Sequence, residues 1–249
     1  MKFANFWRKP TRWAVFRIDD RPLLMAIGLL VGICSGLAAL ALNRSLEAMF
    51  EWLHHYRHYW WAFILPGVGA ALSSLFLDKV VKEGAGHGVP EVIYSVSRYG
   101  GLLRFRSAWS RLVSSCLTIG SGGSAGPEAP VVMSGAAIGS NIARYFSLND
   151  RQRVVIVGCG AAGAISSIFN APIAGLVFTV EVVLGEWTAL NIVPIAIAAV
   201  AGTEVSRMLS GNQIAFSHPG FHIELPDIAA CIGLAVVTAA ASVLLTRAL

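Results

Sequence analysis

The chain has 249 residues, of which 55% are hydrophobic and only 13% are charged. Soluble domains carry about 25% charged residues, so this composition excludes an ordinary soluble protein and predicts an all-α integral membrane protein. The formal net charge of +5 is expected from basic segments beside membrane spans, and nucleic acid is therefore not expected as a partner.

Residues 1–22 form a basic segment ahead of the first long apolar run. The segment carries Lys2, Arg8, Lys9, Arg12, Arg17 and Arg21 against Asp19 and Asp20. Because Lys and Arg concentrate on the cytoplasmic side of membrane spans, we expect a cytoplasmic N-terminus in a multi-pass protein of the bacterial inner (plasma) membrane. No cleavable signal peptide is expected, because the apolar run begins only at Leu23.

Residues 23–249 are interpreted as a single transmembrane domain. The long uncharged runs are 23–42, 60–77, 154–180, 187–203 and 228–246. A helix needs about 20 residues to span the hydrocarbon core, and most of these runs are close to that length. In the first run Gly28, Gly32 and Gly36 lie on one helix face, which favours packing within the chain over a dedicated dimer face. No metal site is predicted, since the four cysteines and six histidines lack paired ligand spacing.

Residues 84–91 read Gly-Ala-Gly-His-Gly-Val-Pro-Glu and form the first of three candidate segments. The glycines free the backbone, and Pro90 suits the first turn of a helix. Unpaired N–H groups at a helix start attract anions, so this segment is a candidate anion site at membrane depth. A tight loop at the membrane surface is an equally good interpretation of this segment taken alone.

The second segment, residues 120–131, is rich in glycine and puts Glu128 in the first turn of a helix that extends to Tyr145. A charge inside the membrane is costly and is ordinarily retained for a function. The same amides could hold either the carboxylate or a permeating anion, so Glu128 is predicted to compete with that anion as a gate. The alternative is an acid that only complements the helix dipole.

The third segment lies in the long run 154–180, which is broken near Asn170-Ala171-Pro172. Proline and the residue before it disfavour an unbroken helix, so two helices are expected to meet at mid-membrane. The stretch 108–146 is expected to split likewise at 120–127. Non-helical backbone survives at this depth only where protein or a water-filled path satisfies it, and the two breaks therefore indicate a pathway.

Taken together and in this order, the three segments resemble the CLC family of voltage-gated chloride channels and proton/chloride antiporters. Residues 86–92 are similar to the family's GSGIPE motif, 126–130 to GKEGP or GREGP, and 169–175 to FNAP(L/I)AG. The resemblance implies the first inverted repeat of a CLC-type fold, with broken and re-entrant helices, up to about residue 210. A helix at 226–248 would then open the second repeat.

The resemblance also implies roles for individual residues, and Glu128 occupies the gating-glutamate position. The expected anion-binding residues are Gly86, His87, Gly88, Val89, Pro90, Gly126, Pro127, Ala129, Phe169, Asn170 and Ala171. Three of them depart from the family pattern: His87 replaces a serine hydroxyl, Pro127 removes a backbone donor, and Ala129 replaces a glycine. We therefore expect His87, at the central site, to affect the anion preference, and Pro127 and Ala129 to alter the outer site.

The expected function is transport of chloride or another small anion, and no enzymatic activity is expected. Family exchangers often carry an inner proton-transfer glutamate immediately after the acid that follows the third motif. Here Glu181 is followed by Val182, which favours channel-like conduction, with a proton-coupled antiporter as an alternative. A membrane-embedded enzyme that uses Glu128 and His87 is the least favoured interpretation, because no nucleophile set or cofactor loop accompanies them.

The motifs account for only one of the family's two inverted repeats. One interpretation is therefore a truncated or split family member whose second half comes from another polypeptide. In the other, the chain inserts and associates with a partner without conducting anions alone. Both imply membrane lipid and a homodimer or a complementing second half as partners. Neither implies a cofactor, and chloride enters only as the transported ion.

Overall fold

The computed structural model describes residues 20–54, 63–82, 88–211 and 225–248. All regular secondary structure in these ranges is helical, which confirms the predicted all-α fold class. The helices are α1 (Asp20–His54), α2 (Leu65–Leu75), α3 (Val89–Tyr99), α4 (Arg106–Gly120), α5 (Glu128–Tyr145), α6 (Asp150–Phe169), α7 (Pro172–Phe178), α8 (Ala189–Ser210) and α9 (Leu225–Ala248). Helices α2 and α7 continue as π-helical turns at Phe76–Val81 and Thr179–Leu184.

Four helices in the described ranges are long and apolar enough to cross a membrane. Their candidate spans are Arg21–Leu53, Asp150–Phe169, Asn191–Ser210 and Ala230–Arg247. Helix α1 extends beyond the uncharged run 23–42 that predicted it. In this extension Asn43 Nδ2 donates to Glu47 Oε1 over 3.0 Å, and Arg44 pairs with Glu47 at 3.5 Å. These pairs support the helix weakly where it continues past the end of the apolar run.

Both predicted breaks are present in the structure. Helix α4 ends at Gly120 and α5 begins at Glu128, so residues 121–127 form the first break. Helix α6 ends at Phe169 and α7 begins at Pro172, so Asn170 and Ala171 form the second break. The glycine-rich and proline-containing sequences therefore end helices where the sequence predicted.

Helix α6 is the central helix of the unit that ends at residue 215, and α1, α5 and α8 pack around it. Helices α5 and α6 touch through their backbones: a Cβ at Gly135 would lie 2.9 Å from the carbonyl carbon of Gly160. One turn along, a Cβ at Gly139 would lie 3.1 Å from the carbonyl carbon of Ile156. The two helices are thus antiparallel, and only glycine permits this approach.

The glycine face of α1 packs against α8. Gly28, Gly32 and Gly36 face, in order, Pro194, Ala198 and Gly202. A Cβ at Gly32 would lie 2.6 Å from the Cα of Ala198, which is closer than real side chains approach a backbone. The prediction that this face packs within the chain is confirmed.

Residues 216–249 form a second compact unit. Within it, α9 is apolar and contains the candidate span Ala230–Arg247. Its bounds, Leu225–Ala248, agree with the helix predicted at 226–248. That this helix opens a second inverted repeat stays a prediction.

Candidate functional site at three helix ends

The first candidate segment leads into α3. Gly86 and His87 lie outside the described residues, whereas Gly88, Val89 and Pro90 form the start of the helix. Gly88 precedes the first helical residue with φ 62°, a backbone conformation that favours glycine. Its carbonyl accepts the N–H of Glu91 at 3.1 Å. Pro90 contributes no N–H and the N–H of Glu91 is bonded to Gly88, so Val89 supplies the first-turn amide that an anion could contact. An anion site at this helix start stays a prediction.

Glu128 is the first residue of α5 and is exposed. Its carboxylate folds back over Gly126: a Cβ added to Gly126 would lie 2.7 Å from Glu128 Cδ. The side chain therefore lies at the positive end of its own helix dipole, where a negative charge is favoured. Pro127 precedes the helix in the right-handed region with φ −77°. The predicted first-turn position of Glu128 is confirmed, and its role as a gate stays a prediction.

The starts of α3 and α5 meet. A Cβ added to Gly88 would lie 2.9 Å from the Cβ of Ala129, so only a glycine at 88 allows this contact. Val89 also packs against the buried cluster that contains Val132 and Met133 of α5. Two helix N-termini, each with partial positive charge, therefore converge at these two candidate segments.

The end of α6 lies level with the start of α5. In their antiparallel packing, Val131 shares a buried cluster with Ala164, and Ile168 packs against that cluster. Phe169 packs against the neighbouring cluster that contains Val132. The described residues of all three candidate segments therefore lie at one level of the same helix group.

The second break is held by a hydrogen-bond network. Asn170 has φ 53°, a left-handed conformation that asparagine tolerates better than most residues. Its Oδ1 accepts the Nε–H of Arg207 over 2.6 Å, and Arg207 also pairs with Glu204 at 3.0 Å. The N–H of Ala171 donates to Ser166 O over 3.1 Å. These bonds fix the backbone at the end of α6.

Two cations near the site were not among the residues predicted from sequence. Arg207 of α8 contacts Asn170, and Arg111 of α4 pairs with Glu91 of α3, with Nη2 and Oε2 3.6 Å apart. The side chain of Arg111 is only 10% exposed. For Arg207, which lies in the candidate span Asn191–Ser210, the available signal was the charge itself, because a charged side chain in a membrane span is costly unless it serves a role.

A solved structure shares this fold. A cyanobacterial Cl⁻/H⁺ antiporter covers 86% of this chain with a TM-score of 0.72 and 22% sequence identity. The superposition covers 53% of the antiporter chain. At this identity the likeness shows a common fold, and it agrees with the predicted partial CLC-type architecture.

Two curated relatives are similar over most of this chain. A putative chloride channel protein ClcB-like from Ralstonia nicotianae is 30% identical over 212 residues, which are 80% of this chain and 49% of the relative. The H⁺/Cl⁻ exchange transporter ClcA from Vibrio cholerae is 27% identical over 216 residues, which are 82% of this chain and 46% of the relative. The chain thus spans about half the length of the curated relatives it matches.

A family model described as voltage gated chloride channel matches residues 69–249. The match includes all three candidate segments, from Gly86 to Gly175, and extends through α9. It covers well over half of the chain and agrees with the resemblance that the three motifs carry. The chain therefore belongs to the voltage-gated chloride channel family.

Proposed function

We propose that the protein transports chloride across a membrane, along a path bordered by the starts of α3 and α5 and the end of α6. The observation that supports this most directly is the convergence of two helix N-termini at Gly88 and Ala129. Amides and helix dipoles at such a place can replace the hydration shell of an anion without a full positive charge. The path would be lined by the described residues Gly88 to Pro90, Gly126 to Ala129 and Phe169 to Ala171, with Gly86 and His87 continuing it beyond them.

Glu128 is proposed as the gate of this path. Its carboxylate lies against Gly126, at the helix end to which a permeating anion would also be attracted. Two like charges 4 Å apart at an effective dielectric of 20 repel by about 4 kcal/mol, so the carboxylate and the anion exclude each other. Conduction then requires the carboxylate to move away or to take up a proton.

A channel-like mode is proposed ahead of proton-coupled exchange. Glu181 is followed by Val182, whose side chain is apolar and 40% exposed, so that position cannot carry a proton. A proton-coupled antiporter is the alternative. The family consists of channels and transporters, and no enzymatic activity or bound cofactor is proposed for this chain.

A second candidate function follows from the share of the relatives that this chain spans, which is about half. In that case the chain is one side of a pore, and it inserts into the lipid and conducts only when a complementing second half is present. We propose a bacterial inner membrane, a cytoplasmic N-terminus, and either a homodimer or the complementing half as the assembly.

The experiment is radioactive chloride uptake into liposomes that contain the purified protein, measured from acidic to neutral pH. Glu128→Gln removes the charge and mimics a protonated, displaced gate, so we expect uptake at neutral pH to rise several-fold and its pH dependence to flatten. Glu51→Gln, an exposed acid of α1, is the matched control and should behave as wild type.

Two results would count against these proposals. An unchanged pH dependence in a folded Glu128→Gln protein would remove Glu128 as the gate while leaving anion transport intact. Uptake no higher than in protein-free vesicles, from protein shown to be folded, would favour the accessory half. Restored uptake on adding a second-half polypeptide would then identify what is missing.

A further inference from the structure

Arg207 joins two elements that sequence alone does not connect. It lies in the last turn of α8, and its side chain is 38% exposed. Its Nε–H donates to Asn170 Oδ1 over 2.6 Å, while Nη1 donates to Glu204 Oε1 over 3.0 Å. One guanidinium thus carries a charge-assisted hydrogen bond to the second break and an ion pair along its own helix.

The second break depends on these contacts with α8. Asn170 is held at φ 53°, and Ser166 O accepts the backbone N–H groups of both Asn170 and Ala171. Thr203 Oγ1 of α8, one turn before Arg207, lies 3.2 Å from the same carbonyl and 2.9 Å from Ala199 O of its own helix, so the two carbonyls share its one hydroxyl proton. Helix α8 therefore contacts the break through two side chains, one at the carbonyl and one at the Asn170 amide oxygen.

The orientation of this break decides which groups of Phe169, Asn170 and Ala171 face the proposed path. Phe169 packs against the cluster that contains Val132 and Met133 of α5. The C-terminal end of α6 also carries partial negative charge from its last carbonyls, which would repel an anion. A guanidinium at that end offsets the negative charge and fixes the direction of the wall.

We propose that Arg207 is a positioning residue of the anion path, which holds Asn170 in the left-handed conformation and thereby sets the wall formed by Phe169, Asn170 and Ala171. This inference rests on the proposed function, since it assigns a role within that path. A role limited to stabilising the end of α6 is the competing explanation, and the test must separate the two.

Arg44 provides a matched control. It pairs with Glu47 at 3.5 Å, three residues along its helix, and donates Nη2 to Leu209 O over 3.2 Å. It therefore resembles Arg207 in charge, in its ion-pair spacing and in its bond to a second helix. Arg44 differs from Arg207 in its partner, because it bonds to the Leu209 carbonyl of α8, whereas Arg207 bonds to Asn170.

The experiment compares Arg207→Gln, Arg44→Gln, Asn170→Gly and the double variant Asn170→Gly/Arg207→Gln in liposomes. The readouts are the apparent KM for chloride, the nitrate-to-chloride permeability ratio and the Tm. A hydrogen bond to a charged group is strong enough that its loss should raise the apparent KM about tenfold in Arg207→Gln. We expect the permeability ratio to change about threefold or more, and Arg44→Gln to keep both values within about twofold.

The double variant tests whether Arg207 acts through Asn170. Glycine at 170 keeps the left-handed backbone but removes the acceptor, so adding Arg207→Gln should then change the permeability ratio little further. If Arg207→Gln changed the permeability ratio as much in the Asn170→Gly background as in the wild type, the inference would be overturned. A lowered Tm with an unchanged permeability ratio in Arg207→Gln would also overturn it. A wild-type protein that neither conducts nor binds chloride, with or without a second-half polypeptide, would overturn the proposed function and this inference together. A conducting wild type with unaffected Arg207→Gln would overturn the inference alone.

Discussion

The two helix breaks at the candidate site are built differently. The first break, residues 121–127, is joined by short-range bonds: Gly122 and Gly123 donate to Ile119 O and Thr118 O over 2.9 and 3.0 Å. The second break has only two residues, and α8 holds it chiefly through the bond from Arg207 to Asn170, with Thr203 Oγ1 3.2 Å from the carbonyl of Ser166. The first break is a glycine-rich connection, and the second is a cross-linked turn.

This difference suggests a division of labour. The exposed Glu128 directly follows the first break. The opposite end of the break borders a cleft of about 340 Å³, lined in part by Phe50, Pro66 and residues 120–123. An exposed side chain that follows such a connection can change position, as the proposed gate requires. The second break is fixed to a neighbouring helix, as the wall of a selective path requires.

The largest effect is expected for a substitution that shifts the two breaks out of level with each other. Their level is set by the contact of α5 with α6, where a Cβ at residue 160 would lie 2.7 Å from the carbonyl carbon of Gly135. Backbone cannot give way as a flexible side chain can, so we expect Gly160→Ala to destabilise the protein by about 3 kcal/mol. Thermal unfolding in detergent measures this as a large loss of Tm and of folded yield.

Gly67→Ala is the control for that substitution. Residue 67 is also a helical glycine, but a Cβ there meets nothing within 4 Å. Alanine has a helix propensity better than glycine by about 1 kcal/mol, so Gly67→Ala should leave the Tm unchanged or raise it. A Gly160→Ala protein as stable as the Gly67→Ala protein would mean that this backbone contact does not set the register.

The sequence predicted the positions of the breaks better than their connections. Pro172 and the glycines of 120–126 indicate helix ends. Both breaks and the start of α5 could therefore be predicted from short stretches of sequence. The bond from Arg207 to Asn170 joins residues 37 apart, and no local pattern specifies such a pair. It arises from the packing of α8 on α6, which the sequence alone does not position.

A similar limit applies to the length of α1. Its apolar run ends at Leu42, and the charges that follow suggested the end of the span. The helix continues to His54, and in this extension Asn43 and Arg44 each pair with Glu47 about one turn away, which adds only about 0.2–0.5 kcal/mol per pair. The length of a hydrophobic run therefore predicts the part of a helix that lipid or protein covers. It does not predict the helix end, because polar residues paired along the helix can extend it further.

Alanine substitutions at the two breaks sharpen the comparison. Gly122 has φ 100° with only Pro66 Cγ near, at 3.5 Å, so Gly122→Ala should cost about 1–2 kcal/mol from conformation alone. Asn170→Ala loses a tolerated left-handed residue and also the bond to Arg207, so it should cost about 2–4 kcal/mol. Denaturant unfolding in detergent gives both values. Equal losses of stability would mean that the contacts with α8 contribute nothing to the second break.

The smallest effect, and the most specific, is expected for Gly126→Ala. The Cβ would overlap the Glu128 carboxylate, which is the far end of a flexible side chain, so the carboxylate should move and stability should change by less than about 0.5 kcal/mol. Chloride uptake at neutral pH should then shift in the same direction as in Glu128→Gln, but by less. Adding Gly126→Ala to Glu128→Gln should change nothing further, because the neutral amide no longer competes with the anion. If the substitution has the same effect in both backgrounds, the methyl group alters the path itself, and the position of the carboxylate over Gly126 is not what limits conduction.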